Sequence, residues 1–423
     1  MVTSPAAADR KENSVGPLDG IRVLDFTTTF LGPYCTMMMA QMGADIIKVE
    51  SRRGDTVRGV GMAKTPGMSA TYMTINVGKR GIVVDLKSDE GRAIIDRMVA
   101  DADVVIHNMR QETAISLGLA YERLAEINPQ IVLAESFGFA PGSPDAGRPA
   151  YDDVIQAASG LADLESHRQG RPQYVTTILA DKTCALITMY AVMAALYERE
   201  RTGRGQSVVV PMYESMVSFL LHEQLAGEAF VPPVGPAIYP RTTSKFRKPY
   251  QTSDGYISVL LYTDNHWRAF FSSIGRPELV DDPRFCDISA RTANIDELYA
   301  LMESTLADKP TTYWLEQFRE LDCPAMEVRN VDDLITDDYL AEAGIIVEHE
   351  HPSEGRVRAL GMPVQFSNHE RDPKSIRHAP RLGEHTAEVL AEFGFSEDQI
   401  SQWLERGVVH ASDDRSTVGS ADA

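Results

Sequence analysis

Residues 21–49 decide the fold; they read IRVLDFTTTFLGPYCTMMMAQMGADIIKV. The apolar run Ile21–Phe26 predicts a buried strand, and Asp45–Val49 predicts a second one. Between them, Pro33–Met42 predicts a helix with proline in its first turn. Strands separated by a helix favour a parallel sheet with helices on its faces.

The same alternation continues along the chain. Ser88 is suited to cap the next helix, because its hydroxyl can accept a backbone hydrogen bond while Asp89 and Glu90 suit the positive helix end. Further elements are predicted as strands at Ile82–Leu86, Val104–Ile106, Ile131–Ala134 and Ser207–Val210, and as a long helix at Asp181–Glu200. The fold class is therefore α/β, a Rossmann-like doubly wound unit. No GxGxxG fingerprint is present, so NAD binding is disfavoured.

The second half of the chain has a different pattern. A Pro-rich stretch, Val231–Pro240, indicates a linker, and Gly255–Leu261 opens a smaller unit with several helices. Ile345–Glu350 and Arg356–Leu360 flank a turn and predict a hairpin. The residues from Val409 to the last position predict a frayed tail.

Charge and composition exclude several classes of function. Lys plus Arg is 41 and Asp plus Glu is 61, so the net charge is 41 − 61 = −20. A field of this sign repels nucleic acids and anionic membranes, and neither is an expected partner. The longest apolar stretch, Cys184–Tyr197, is short for a membrane span and predicts a core helix. The four scattered cysteines form no CxxC pair; we expect each to be a small buried residue in a cytoplasmic protein.

Motifs for metal and nucleotide chemistry are missing from the sequence. There is no HExxH, P-loop or GxSxG motif. His349 and His351 alternate along a predicted strand, which would place both imidazoles on one face. A metal site there is one interpretation, and a solvated hairpin face is the favoured one. No bound metal or permanently bound cofactor is expected, and carboxylate chemistry is left as the open route.

Several segments in one order resemble the class III CoA-transferases, a family that includes formyl-CoA and crotonobetainyl-CoA transferases and alpha-methylacyl-CoA racemases. These segments are PLDGIRVLDF (17–26), GADIIKVE (43–50), YDDVIQAASG (151–160), TGRGQ (202–206) and APRLGEHT (379–386). The resemblance covers nearly the whole chain. It implies a large Rossmann-like domain, a smaller α+β domain and an interlocked homodimer.

With this resemblance, the domain layout becomes specific. We expect a disordered N-terminus at 1–16, a large CoA-binding domain at 17–210 and 340–408, linkers at 211–240 and 326–339, a small domain at 241–325 and a frayed tail at 409–423.

The resemblance also implies a nucleophile, since Asp181 stands just before the long helix that precedes TGRGQ. A carboxylate is ionised at neutral pH and needs no base to attack a thioester, and backbone N–H groups at a helix start favour its charge. Position alone would suggest only a helix cap. As nucleophile, Asp181 would move CoA from an acyl-CoA donor to a carboxylate acceptor through an aspartyl anhydride and an aspartyl-CoA thioester.

Tyr151 and Asp152 separate the branches of the family. The racemases carry a His-Asp pair at this point, whereas the formyl-CoA transferase-like branch has an aromatic residue first, as here. A phenol is a poor base at neutral pH, which favours a transferase over a racemase. A racemase, a hydrolase and a non-catalytic acyl-CoA-binding protein are the alternatives.

Coenzyme A, as a substrate, brings phosphates that need basic partners. By match to family positions we expect the nucleotide to lie near Arg52, Asp85, Lys87, Asn108 and Arg110.

Two departures from the family concern the acyl pocket. Phe30 stands where formyl-CoA transferase has a glutamine, and the glycine-rich loop of that enzyme is replaced by a basic segment that begins at Arg241. These departures argue against formyl-CoA and oxalate as the natural pair. We interpret the segment 241–248, whose four positive residues are unopposed by any acid between 229 and 253, as a site for an anionic acyl group or CoA phosphate; a basic surface loop is the equal alternative.

Overall fold

A computed structural model describes residues 16–369 and 376–412. The parts of the predicted N-terminus before residue 16 and of the predicted tail after residue 412 lie outside the described residues. The described chain forms two compact units, each treated by itself below. One contains the residues up to Ile155, Ile178–Met216 and the residues from Asp338 on; the other contains Gln156–Thr177 and Val217–Asp337.

The strands are β1 Arg22–Asp25, β2 Asp45–Glu50, β3 Arg80–Val84, β4 Val104–His107, β5 Val132–Phe137, β6 Ser207–Pro211, β7 Tyr250–Gln251, β8 Tyr256–Val259, β9 Ala325–Glu327, β10 Ile346–His351, β11 Gly355–Leu360 and β12 Val409–His410. The α-helices are α1 Leu31–Gln41, α2 Ala70–Ile75, α3 Asp89–Val99, α4 Gln111–Ser116, α5 Tyr121–Ile127, α6 Asp152–Ala158, α7 Leu161–Leu164, α8 Ser166–Gln169, α9 Leu179–Thr202, α10 Met212–Gln224, α11 Pro240–Thr243, α12 Asp264–Ser273, α13 Ile288–Ala293, α14 Ile295–Leu306, α15 Thr311–Glu320, α16 Val331–Ile335, α17 Asp338–Glu342, α18 Thr386–Glu392 and α19 Glu397–Arg406. Short 3₁₀ turns occur at Thr56–Gly59, Ala226–Ala229 and Pro277–Asp281.

The first unit is built on a seven-stranded sheet in the order β12-β3-β2-β1-β4-β5-β6. Strands β1 to β6 are parallel, which confirms the α/β prediction, and their order is that of a Rossmann sheet. Their central residues, among them Leu24, Ile47 and Val105, are fully buried, as expected where helices cover both faces of a sheet. Ser88 caps α3 as predicted, accepting a hydrogen bond from the Gly91 N–H.

The frayed tail was predicted to begin too early. Val409 and His410 form β12 and pair antiparallel with Val84 and Val83 on the edge of the sheet. Val409 is also part of the buried apolar core, so burial together with backbone pairing holds this segment in place.

The hairpin prediction is confirmed, because β10 and β11 pair antiparallel from Ile346 with Leu360 to His351 with Gly355. The prediction that both histidines lie on a solvated face is wrong for His351. Its side chain is buried, and its Nε2 lies 2.9 Å from the Ala379 carbonyl oxygen, so this imidazole has a structural bond.

The second unit has a three-stranded antiparallel sheet, β7-β8-β9. Trp267 and Phe270 on α12 and Trp314 and Phe318 on α15 pack into its apolar core.

The limits of this second unit differ from the predicted small domain and linkers. The Val175 N–H donates to the side-chain carbonyl of Gln156, which ties the segment 156–177 together. Gln224 accepts from the Tyr239 N–H and donates to the Thr242 hydroxyl, so the Pro-rich stretch predicted as a linker is folded back and bonded.

Helix α9 is the one helix in the described ranges that is long and apolar enough to cross a membrane. Of its most apolar window, 44% is buried, and the helix packs against α1, β5 and β6. It therefore has the environment of a core helix, as its apolar stretch predicted. Of the four cysteines, which are all free, Cys35, Cys184 and Cys323 are buried as expected, whereas Cys286 is exposed.

Candidate active site

A cavity of about 670 Å³ opens at the carboxyl ends of β1, β4 and β5 in the first unit. Strands β1 and β4 are neighbours in the sheet, and the strand order reverses between them. In open α/β sheets, the connections that follow the two strands at such a reversal run in opposite directions. A crevice remains between them at the carboxyl ends of the strands, and ligands bind there. The topology alone therefore makes this cavity the first candidate for an active site.

The wall of the cavity combines apolar and polar groups in about equal measure. Its apolar and aromatic residues are Phe30, Leu31, Met109, Phe137, Phe139, Pro141, Ala146, Pro149, Ala150, Tyr151 and Met212. Its charged side chains are those of Arg110, Glu112, Arg148 and Asp181. A cavity that presents convergent polar groups beside aromatic surface suits a small-molecule site.

Asp181 lies in the first turn of α9, lines this cavity and is only 9% exposed. Its backbone N–H donates to Oδ1 of Asp152 at 2.9 Å, so a second carboxylate caps the helix start. Within the described residues, no hydrogen bond to the Asp181 carboxyl is among the causes that shift its pKa. Asp181 is thus a buried acid that is held by its backbone and open at its side chain.

Burial, and after it the nearby charge of Asp152, raise the pKa of Asp181 to about 7. The desolvation of a charged carboxylate outweighs the favourable field of the helix start. With this pKa the Asp181 carboxyl is only partly ionised at neutral pH, whereas the sequence predicted an ionised carboxylate. The helix-start position was visible in the sequence, whereas the second carboxyl 29 residues away was not recognisable as its neighbour.

Tyr151 and Asp152 occupy the junction between the loop 138–150 and α6. Tyr151 is 66% exposed and lines the cavity, so it is not a buried packing residue at the helix entry. Asp152 is buried, and one of its oxygens holds Asp181 as described.

The base of the loop 138–150 is closed by a close contact. A side chain on Gly138 would place its Cβ 2.3 Å from the Cβ of Ala150. The Glu214 carboxylate accepts from the Ala140 N–H at 3.2 Å, which anchors the start of the loop. The loop carries Arg148 to the cavity wall, where its guanidinium pairs with Asp145.

Opposite this loop, the turn after β1 places Phe30 at the cavity. The Phe30 ring packs beside that of Tyr34, with 5.6 Å between the ring centroids. Asn108, at the end of β4, accepts from the Thr28 N–H at 3.0 Å and donates to the Thr28 carbonyl at 2.8 Å. These two hydrogen bonds between the Asn108 side chain and the Thr28 backbone link the ends of β1 and β4, the two strands on either side of the crevice.

The predicted CoA-binding residues fall into two groups. Asn108 and Arg110 line the cavity. Arg52, Asp85 and Lys87 follow β2 and β3 on the same edge of the sheet but are not among the residues that line it. The Asp85 side chain accepts a hydrogen bond from the Lys87 N–H at 3.0 Å. This local turn gives Asp85 a structural role that does not involve a ligand. Arg148, which does line the cavity, was missed because an arginine in a Gly- and Pro-rich loop carries no positional signal.

Arg241 belongs to the second unit, where its guanidinium lies over the Tyr262 ring and its Nε donates to the Tyr299 hydroxyl at 3.2 Å. The prediction that the basic segment is unopposed is wrong in part. Lys248 pairs with Glu303 at 2.6 Å, an acid more than fifty positions away that no local count could detect.

No group of three or more His, Cys, Asp or Glu side chains in the described ranges has a metal-binding arrangement.

The chain is similar to known proteins over most of its length. Residues 18–386 match the model of CoA-transferase family III. A formyl-CoA:oxalate CoA-transferase of Escherichia coli is 31% identical over 413 residues, which are 91% of this chain and 97% of that enzyme. The crystal structure of a CAIB/BAIF family protein from Brucella suis is 30% identical with a TM-score of 0.74, covering 89% of this chain and 99% of the other. The Mycobacterium tuberculosis protein Rv3272 is 29% identical with a TM-score of 0.75 at the same coverage.

The chain therefore belongs to CoA-transferase family III, and it is a CoA-transferase. Enzymes of this kind use CoA thioesters as substrates, which gives the cavity at the switch point of the sheet its chemical context.

Proposed function

We propose that this enzyme moves CoA between two carboxylic acids and that Asp181 is the nucleophile. The observation that carries the proposal is the buried Asp181, held by its backbone at the head of α9 and lining the cavity. A carboxyl that is partly stripped of water attacks a thioester more readily than a hydrated one does.

The reaction balances without a further reactant. A carboxylate oxygen of Asp181 bonds to the acyl carbon, the carbon–sulfur bond breaks, and CoA leaves as thiolate from a mixed anhydride. The thiolate then bonds to the Asp181 carbonyl carbon, and the donor acid leaves as carboxylate. The acceptor carboxylate attacks the resulting aspartyl-CoA thioester and releases the thiolate again. Attack of the thiolate on the acceptor acyl carbon forms the new acyl-CoA and restores Asp181.

The aromatic part of the wall supports a donor with a larger and less polar acyl group than formyl. The formyl-CoA:oxalate transferase of E. coli is a relative of only 31% identity. Phe30, Phe137 and Phe139 surround the space in front of Asp181 with aromatic surface. A formyl group would leave that surface unfilled.

Arg110 and Arg148 are the cationic groups of the cavity wall and suit the phosphates of CoA or the acceptor carboxylate. Arg52 and Lys87 lie outside the cavity wall. They would therefore bind only those parts of CoA that extend out of the cavity along the sheet edge. Arg241 is engaged with two tyrosines in the second unit, which weakens the earlier interpretation of it as an acyl-binding residue.

The homodimer implied by the family has support in the exposed face of α9. Leu186, Tyr190 and Tyr197 are 52%, 63% and 68% exposed and lie on one side of the helix by their spacing. An apolar stripe of this kind is typical of an interface. We place the enzyme in the cytoplasm, where acyl-CoA is present and free thiols persist; all four of its cysteines are free.

The test is covalent trapping. The protein is incubated with acetyl-CoA, butyryl-CoA and benzoyl-CoA, quenched with hydroxylamine and digested for peptide mass spectrometry. We expect a hydroxamate on Asp181, absent in Asp181→Asn and present in Asp153→Asn, the matched control on an exposed neighbour of the site. CoA binding without any adduct would contradict the proposal.

A racemase is the second candidate, and one observation favours it. A carboxyl with a pKa of about 7 can give and take a proton near neutral pH, as removal of an alpha proton requires. Against a racemase, Tyr151 stands at the position where the racemases have a histidine. A phenol is a poor base at neutral pH. Solvent deuterium appearing at the alpha carbon of a branched acyl-CoA, without transfer to an acceptor, would decide for the racemase.

A further inference from the structure

The turn that follows β1, residues Thr27 to Phe30, is held by hydrogen bonds to several side chains. Thr27 donates its N–H and its hydroxyl to Oδ1 of the buried Asp25. Thr28 is bonded at both its N–H and its carbonyl by Asn108. Thr27 is thus held by a side chain of its own strand, β1, and Thr28 by the side chain of Asn108, which follows the neighbouring strand β4.

Thr29 is the strained residue of this turn. Its φ is +73°, in the left-handed region that a β-branched residue rarely adopts. Its N–H donates to Oδ1 of Asp55 at 2.9 Å. Because this conformation is unfavourable in itself, an acceptor placed at this N–H is needed to keep it populated.

Asp55 is in turn fixed by a buried charge. Its Oδ2 accepts from Lys48 Nζ at 2.9 Å, and both side chains have no exposed surface. The same Lys48 Nζ donates to the Thr27 carbonyl at 2.9 Å. The pair therefore bonds the turn twice, at Thr27 through the lysine and at Thr29 through the aspartate.

We propose that Asp55, oriented by Lys48, is a positioning residue that sets the acyl-donor selectivity of the site. It holds Thr29 in its left-handed conformation, and that conformation directs the following residue, Phe30, to the cavity wall that faces Asp181. The inference rests on the proposed function, because it takes Phe30 to contact the acyl group. Asp55 does not line the cavity and would act on it through the Thr27–Phe30 turn; its Oδ1 also accepts from the Val57 N–H and so caps the 3₁₀ turn Thr56–Gly59.

The test compares two double variants in the full-length enzyme. Removing Asp55 alone would leave the Lys48 charge buried without a partner and could prevent folding. Lys48→Met is therefore combined with Asp55→Asn, which keeps an acceptor for the Thr29 N–H, and with Asp55→Ala, which removes it. The measured quantity is the ratio of the single-turnover rates of Asp181 adduct formation with benzoyl-CoA and acetyl-CoA.

We expect the Asp55→Ala double variant to shift this ratio by about tenfold relative to the Asp55→Asn double variant, since small misplacements at a reacting centre have effects of this order or larger. When Phe30→Ala is added to both double variants, their ratios of benzoyl-CoA to acetyl-CoA rates should become equal. General loss of folded protein would lower both rates together and leave the ratio unchanged.

An unchanged ratio in the Asp55→Ala double variant, with Phe30→Ala shifting it, would overturn the positioning role alone. An unchanged ratio in Phe30→Ala would overturn both that role and the assignment of Phe30 to the acyl pocket. The absence of any Asp181 adduct in the wild-type protein would instead show that the proposed function has failed.

Discussion

The Asp181 carboxyl lies at the head of α9 beside the Asp152 carboxyl, which bonds its backbone N–H. Burial and the neighbouring charge both disfavour the ionised form that the proposed chemistry uses. Active sites commonly contain acids whose environment opposes their charge, because the same desolvation makes the ionised form more reactive.

The pH dependence of adduct formation should follow this titration. Only the carboxylate attacks, so kcat/KM for the donor should rise with pH through about 7 and level off above it. Asp152→Asn removes a negative charge that raises the pKa of Asp181, so the rise should move to lower pH. A profile that is flat from pH 5 to 8 would contradict this prediction.

The raised pKa also makes a prediction about stability. Because the folded-state pKa of about 7 lies above the ordinary 3.8, the ionised Asp181 opposes folding as pH rises between these values. Asp181→Asn should therefore raise the free energy of unfolding at pH 8 by on the order of 1–4 kcal/mol and change little at pH 3.5. Urea unfolding at the two pH values checks this, with Asp153→Asn as the control; equal effects of Asp181→Asn at both pH values would oppose it.

At the scale of elements, the loop that joins β5 to α6 carries Arg148, Pro149 and Ala150 to the cavity. Its ends meet where Gly138 contacts Ala150, too closely for any further side chain. Glu214 holds the loop from α10. The shape of this wall therefore requires a residue without a side chain at position 138.

Gly138→Ala should open the base of this loop. Overpacking of this kind costs about 1–3 kcal/mol, and we expect a higher KM for the acyl-CoA as the loop shifts. Removing the opposing methyl group in Gly138→Ala/Ala150→Gly should restore most of the KM. Gly59→Ala, at a glycine with open space around it, is the matched control. A double variant as impaired as Gly138→Ala would show that the contact is not the cause.

On the scale of the whole molecule, the exposed stripe of α9 is the feature that a single chain does not explain. Half of the surface of Leu186 and more of that of Tyr190 and Tyr197 face solvent on a helix whose other side is core. A second copy of the chain packed on this stripe would remove its apolar surface from water.

We therefore expect a homodimer in sedimentation equilibrium at micromolar concentration. Tyr190→Asp should shift the mass toward that of one chain, because it places a charge inside the interface. Met62→Asp, at an apolar side chain that is 87% exposed in the first unit, is the control and should leave the mass unchanged. A wild-type protein that sediments as a single chain would refute the dimer.

Local signals in the sequence were sufficient for the parallel sheet and for the head of α9. The strands β1 and β2 with α1 between them, the Ser88 cap and the hairpin β10-β11 all follow from short-range patterns, since period, capping and turns depend on neighbouring residues. The family motifs directed attention to Asp181 for the same reason, because they are contiguous in the chain.

Only the tertiary structure decided how distant residues meet. It paired Asp152 with Asp181, set Lys48 and Asp55 against the Thr27–Phe30 turn, opposed Lys248 with Glu303 and drew Val409 into the sheet edge. These contacts depend on strand order and on burial, and burial is what changes the pKa of Asp181. A one-dimensional pattern contains the residues that can form such contacts, but desolvation and charge coupling act through space and exist only once the chain has folded.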